Sequence, residues 1–176
     1  SGNIVRSTDN GSSFDNVTSD PAITQHLYGV TFGNNTFVVC GSNGTIVRST
    51  DNGTNWDEVN SGTNKNLFGV TFANNTFVAV GASGNILRST DNGSNWDNAT
   101  ISNGTRLRGV TFGNNTFVAT GDSGTIVRST DNGSNWDNAT APIGSGTIWE
   151  VGFGNNTFVA LVHGGMILRS TDNGSN

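Results

Sequence analysis

The strongest constraint on this chain is that it repeats itself about every 40 residues. "RSTDNGSNWD" stands at Arg88–Asp97 and again at Arg128–Asp137, with variants from Arg6 and Arg48 and a shorter "RSTDNGSN" from Arg169. The first serine of the phrase recurs at Ser7, Ser49, Ser89, Ser129 and Ser170, in steps of 42, 40, 40 and 41 residues. A second phrase keeps phase with it: "YGVTFGNNTFVVCG", "FGVTFANNTFVAVG", "RGVTFGNNTFVATG" and "EVGFGNNTFVALVHGG". A short unit repeated in this way stacks on its neighbours, because one copy alone has nothing to cover its apolar face.

Each unit reads as four short strands. "LFGVTF" (Leu67–Phe72) is apolar and β-favouring, and Gly69 allows close backbone approach. Asn74–Asn75 suits a two-residue hairpin, since asparagine tolerates positive φ. "TFVAV" (Thr76–Val80) is the second strand, "NILRST" (Asn85–Thr90) the third, and a short fourth is expected around Trp96. Helical periodicity is absent. The fold class is therefore all-β: a β-propeller of four-stranded antiparallel blades in a single domain, 1–176. The units run approximately 1–26 (partial), 27–66, 67–106, 107–146 and 147–176 (partial).

The two partial units are complementary. The first supplies a third and a fourth strand, and the last supplies a first, second and third. About four blades per chain follow, with the termini sharing a blade in a four-bladed ring, or closing on a second chain as a two-chain, eight-bladed ring. Near-identical units favour exchange of terminal strands, so self-association as a homodimer is the expected partner relationship.

Composition excludes several classes. The net charge is −5 and Lys65 is the only lysine, so no basic stripe exists for nucleic acid. No apolar run reaches the ~20 residues of a membrane span, and no secretory leader is legible. Cys40 is alone, so there is no internal disulfide, and a small buried side chain is the expected role.

"STDNGSNW" resembles the Asp-box, or BNR repeat, Ser/Thr-x-Asp-x-Gly-x-x-Trp. The match is full at Ser49–Trp56, Ser89–Trp96 and Ser129–Trp136, while Phe14 replaces tryptophan in the first copy. With "GVTFGNNTFVAVG" beside it, the period resembles the YCF48-like propellers of photosystem II assembly factors. The resemblance implies a propeller and a non-catalytic scaffold or interaction role. Asp-boxes also occur in sialidases and sorting receptors, so a glycan-binding propeller and a sialidase-like remnant stand as alternatives. Units this alike also imply recent amplification of one blade, or deliberate reconstruction from one.

The boxed residues read as structural. Asp9, Asp51, Asp91, Asp131 and Asp172 open turns and accept backbone N–H groups, Gly53, Gly93 and Gly133 supply positive φ, and Trp56, Trp96 and Trp136 plug the gap between blades. A calcium loop would want a ligand where Gly93 stands, so no metal and no cofactor are expected. The repeated Arg48, Arg88 and Arg128 are expected to make the same local salt bridge or hydrogen bond in each blade. No catalytic set converges: Tyr28 is the only tyrosine and Glu58 and Glu150 the only glutamates, and neither neighbours it in sequence. The chain is read as non-enzymatic. Variation gathers in the blade linkers and the second-to-third turns, on one face of the ring. The candidate ligand face there comprises His26, Tyr28, Lys65, Arg106, Arg108, Trp149, Glu150 and His163, with Asp122 beside them, for a protein or glycan partner.

Overall fold

The computed structural model describes residues 2–17, 23–101 and 104–175. Its strands run β1 (Ile4–Arg6), β2 (Asp15–Val17), β3 (Leu27–Gly33), β4 (Thr36–Gly41), β5 (Ile46–Ser49) and β6 (Asp57–Val59). They continue with β7 (Leu67–Ala73), β8 (Thr76–Gly81), β9 (Ile86–Ser89), β10 (Asp97–Asn98), β11 (Leu107–Gly113) and β12 (Thr116–Gly121). The last are β13 (Ile126–Ser129), β14 (Asp137–Ala139), β15 (Ile148–Gly154), β16 (Thr157–Val162) and β17 (Met166–Ser170). All pairing is antiparallel and sequential. Sheets β3–β6, β7–β10 and β11–β14 have four strands, β15–β17 has three, and β1–β2 has two.

The hairpins form as their sequence dictates. Asn74 and Asn75 sit at φ 48° and 56°, the left-handed pair of a type I′ turn, and the same pair recurs at Asn34–Asn35, Asn114–Asn115 and Asn155–Asn156. That two-residue loop fixes the register, setting Phe72 opposite Phe77 with ring centroids 4.5 Å apart. Trp96 stacks next, 6.5 Å from Phe77, and the same aromatic triplet is built in the β3–β6 and β11–β14 sheets.

The sheets stand face to face as blades, with the first strands β3, β7, β11 and β15 side by side. The second strand of each blade is sandwiched, which is why it reads as an unbroken apolar run rather than an alternating one. Its two faces serve different neighbours. Phe77 and Ala79 join Val38, Cys40 and Ile46 of the preceding blade, while Val78 and Val80 join Leu107, Val110 and Phe117 of the following one. Trp96 and Trp136 pack on those same inter-blade layers. The glycine of the first strand serves this packing. A methyl group at Gly69 would stand 2.9 Å from the Arg108 carbonyl oxygen, and one at Gly29 3.2 Å from that of Phe68.

Four features differ from the sequence reading. The fourth strand starts after the tryptophan, at Asp97, because the indole is folded back with its N–H on the Gly93 carbonyl at 3.1 Å. The second-to-third turns contain single turns of 3-10 helix at Ser42–Gly44, Ala82–Gly84 and Asp122–Gly124. The repeated arginines do not bond locally. Arg48 Nη1 donates to Ser94 Oγ (2.8 Å), Arg88 Nε to the Asn132 carbonyl (2.8 Å), and Arg128 Nη1 to Ser175 Oγ, each in the next blade. The boxed carboxylate in their own blade is already engaged by its turn. Finally, β1–β2 lies against the first blade, where Ile4 and Val17 meet Val39, Val47 and Trp56, and it does not pair with β15–β17 of the same chain.

Candidate functional site

Each box is held by its own side chains. In the third copy Asp91 Oδ1 accepts from the Asn95 N–H (2.9 Å) and Ser89 Oγ (2.9 Å), and Oδ2 accepts from Asn95 Nδ2 (2.6 Å). Ser89 Oγ in turn accepts the Gly93 N–H at 2.9 Å. These donors favour the carboxylate, so its pKa falls to about 2, led by the Asn95 side-chain amide. Asp51 and Asp131 fall to about 2, led by the backbone N–H of Asn55 and Asn135, and Asp9 does so through the Ser13 hydroxyl. In the last copy Asp172 Oδ1 accepts from Ser170 Oγ (2.6 Å) and the Ser175 N–H (3.1 Å). Gly53, Gly93 and Gly133 take φ of 79°, 77° and 81°. Among the described residues no three His, Cys, Asp or Glu gather as metal ligands. Cys40 is buried, and that burial pushes its thiol up to about 12, which removes it as a nucleophile at neutral pH.

The distinctive geometry lies on the first strands. In every blade the register slips by one residue there: Leu27 pairs with Gly41 and Gly29 with Cys40, leaving Tyr28 without a partner. The same β-bulge leaves out Phe68, Arg108 and Trp149. A bulge re-aims the side chain of its extra residue. Four successive inner strands thus present Tyr28, Phe68, Arg108 and Trp149 at one level.

Arg106 and Asp122 link these side chains into one row. Tyr28 and Phe68 have ring centroids 5.5 Å apart. The Arg106 guanidinium lies 5.5 Å from the Phe68 centroid, and that of Arg108 lies 4.2 Å from the Trp149 ring, both within cation–π range. Asp122, from the adjoining 3-10 turn, orients the cations: Arg108 Nε donates to Oδ1 at 2.6 Å, and Arg106 Nε stands 3.8 Å from Oδ2. Tyr28 and Trp149 remain about half exposed, at 47% and 48%. The result is a ladder of aromatic faces and tethered cations.

The structure brings Tyr28, Arg106, Arg108, Trp149 and Glu150 to these strands and their ends. His26 also stands at such an end: it precedes β3 as Arg106 precedes β11, and its carbonyl accepts the Ser42 N–H (2.8 Å). His163 holds the position in the last blade that Asp122 holds in the one before, with its N–H donating to the Thr147 carbonyl (2.8 Å). Lys65 is exposed in a linker, its N–H on Thr63 Oγ1 at 3.2 Å. Sequence reading missed Phe68, because it looked like one more apolar strand residue; its equivalence with Tyr28, Arg108 and Trp149 was the available signal. Tyr28 and Glu58 lie on the innermost and outermost strands of one sheet. Glu150 Oε1 accepts the neighbouring Val151 N–H at 3.1 Å.

The model of the family described as photosynthesis system II assembly factor YCF48 matches residues 18–176. The chain belongs to that family. Structures agree on the fold of this YCF48-family chain. YCF48 from Cyanidioschyzon merolae superposes with a TM-score of 0.65 at 21% identity, covering 84% of this chain and 54% of its own. A structure of YCF48 bound to D1 peptide gives 0.72 at 20% identity, covering 98% and 58%. The computationally designed Ika4 protein gives 0.68 at 14% identity, covering 85% and 92%. The chain thus spans a little over half the length of the YCF48 structures it matches. No curated protein matches its sequence.

Proposed function

We propose that this YCF48-family chain is a non-catalytic, protein-binding propeller whose inner-strand ladder holds an extended peptide of its partner. The observation that carries the reading is the repeated bulge, which sets Tyr28, Phe68, Arg108 and Trp149 in line on four neighbouring strands. Aromatic faces take apolar side chains, and Arg106, half exposed, is available to a carboxylate. The D1 peptide in the solved YCF48 complex supports the choice of a peptide ligand. The near identity of the blades further supports a scaffold amplified from one blade, by nature or by design.

The test is a binding titration of a labelled D1 peptide by fluorescence anisotropy. Wild-type chain should bind. Phe68→Ala and Trp149→Ala should each weaken binding roughly tenfold, as loss of ~1–1.5 kcal/mol of ring contact implies. Wild-type affinity in both variants, or no binding by the wild type, overturns the proposal.

A further inference from the structure

We propose that Asp122 is the specificity-determining residue of the inner-strand ladder. It neutralises Arg108 and leaves Arg106 open to a ligand. The site then takes a peptide segment with a single carboxylate between apolar side chains, an inference that rests on the peptide reading.

The blades are near copies, and their charged departures from the repeat gather at one junction. The position of Arg106 holds His26, Asn66 and Thr147 in the other blades, and that of Arg108 holds Tyr28, Phe68 and Trp149. Asp122 stands where the others have Ser42, Ala82 and His163, and Glu150 where they have Gly29, Gly69 and Gly109. Arginine and carboxylate enter these four positions only where β11 meets β15.

Asp122 is fastened to both sides of that junction. Its N–H donates to the Arg106 carbonyl (2.9 Å), and its Oδ1 accepts from Arg108 Nε (2.6 Å) and from Thr147 Oγ1 (3.4 Å). Arg108 is thereby occupied. Its Nε faces a carboxylate, its guanidinium lies over Trp149, and its side chain is 20% exposed against 29% for that of Asp122. A pair this close and this covered is little screened by salt. Arg106 differs. Its Nε stands 3.8 Å from Asp122 Oδ2, beyond hydrogen-bond distance, and its side chain is 47% exposed over the Phe68 ring. Among the described residues Glu150 pairs with neither arginine: its Oε1 accepts the Val151 N–H (3.1 Å) and lies over Gly109.

Two positive and two negative groups therefore share the junction, and this balance selects. One carboxylate entering between Phe68 and Trp149 finds the donors of Arg106 and an aromatic ring on either side. A second acid on the same ligand meets Asp122 and Glu150 instead, and is repelled.

Asp122→Ala and Asp122→Glu in the 176-residue chain test this. The turn accepts alanine, since Ala82 fills the same place in an equivalent 3-10 turn. Trp149 reports the local charge. Iodide and acrylamide quenching at constant ionic strength, with Trp149→Phe in each background as the blank, gives an iodide-to-acrylamide ratio for Trp149 alone. Asp122→Ala should raise that ratio roughly twofold, because an anion is then drawn to the unpaired arginine, and Asp122→Glu should return it to the wild-type value. Simple loosening of the turn would raise both quenchers alike and leave the ratio unmoved. Fluorescence anisotropy then compares two labelled peptides, one with a single glutamate and one with three among the same apolar residues. Asp122→Ala should shift selectivity toward the three-glutamate peptide roughly fivefold. An unchanged iodide ratio, or wild-type selectivity in Asp122→Ala, overturns the proposal. A raised ratio with neither peptide bound by any chain overturns the peptide reading, and leaves standing the control of this charge by Asp122.

Discussion

Gly81→Ala probes the point where the blade is least able to give. Gly81 closes β8 in extended geometry, with φ −165°, so the residue type is not demanded by its dihedral. What demands it is space. A Cβ there would lie 2.1 Å from the Asn66 carbonyl oxygen, well inside the 3.4 Å at which ordinary contact begins. That carbonyl belongs to the linker entering the same blade and accepts the Ala82 N–H at 2.8 Å. Accommodating the methyl group means moving backbone by more than 1 Å and, without the Gly164–Gly165 turn beside which the last blade keeps the equivalent His163–Thr147 bond, breaking that bond. Overpacking costs about 1–3 kcal/mol, a lost hydrogen bond about 1, and the reduced freedom of the unfolded alanine chain returns roughly 0.4–1, for a net loss near 2 kcal/mol. At this chain length that lowers Tm by roughly 4–8 °C. Thermal and denaturant unfolding followed by tryptophan fluorescence measures it, with Gly152→Ala as control, since a methyl group there meets nothing within 4 Å. The control should be neutral or slightly stabilised. The last blade has Val162 at the equivalent position, paired with Ile148 and followed by a turn with Gly164 and Gly165 at φ 87° and 82°. If the Asn66 carbonyl can swing aside without such a turn, Gly81→Ala will match wild type within about 0.5 kcal/mol, the ordinary spread of neutral substitutions, and the steric argument fails.

Two further outcomes follow from the boxes. The carboxylates of Asp9, Asp51, Asp91 and Asp131 ionise at about 2 when folded against an ordinary 3.8, so each contributes stability above 3.8 that is lost as pH falls toward 2. Denaturation midpoints should drop across that window, and Asp91→Asn should flatten the drop; an unchanged slope would remove the carboxylate from the account. Asn132 Nδ2 reaches back 56 residues into the preceding blade, to Thr76 Oγ1 at 2.6 Å, so Thr76→Val should cost about 1–3 kcal/mol by stranding a half-buried amide, and a urea titration showing less than 0.5 would refute it.

Much of the blade was legible. Asn-Asn at a fixed place forces the hairpin, and the hairpin forces Phe72 against Phe77. Asp, Gly and Trp at fixed spacing build a turn from neighbours within five residues, so no distant contact is needed to foresee it. The ladder was only half legible. Tyr28, Arg108 and Trp149 stood out as unusual residues, but nothing in their spelling announced a bulge, which comes from matching a first strand to a shorter second one. Phe68 was hidden because an aromatic in a strand is ordinary until its strand is known to be innermost. The direction of the arginines was hidden for a similar reason: Arg88 finds its acceptor 44 residues away, across a blade boundary.

The sequence by itself determined the strands, their turns and the repeat, because these depend on backbone preference and on partners close along the chain. Tertiary structure alone decided which faces of neighbouring blades meet, and which side chains meet along the inner strands. Those outcomes depend on how far each blade rotates from the last, and that angle is set by many small contacts summed across the interface, which no single residue reports.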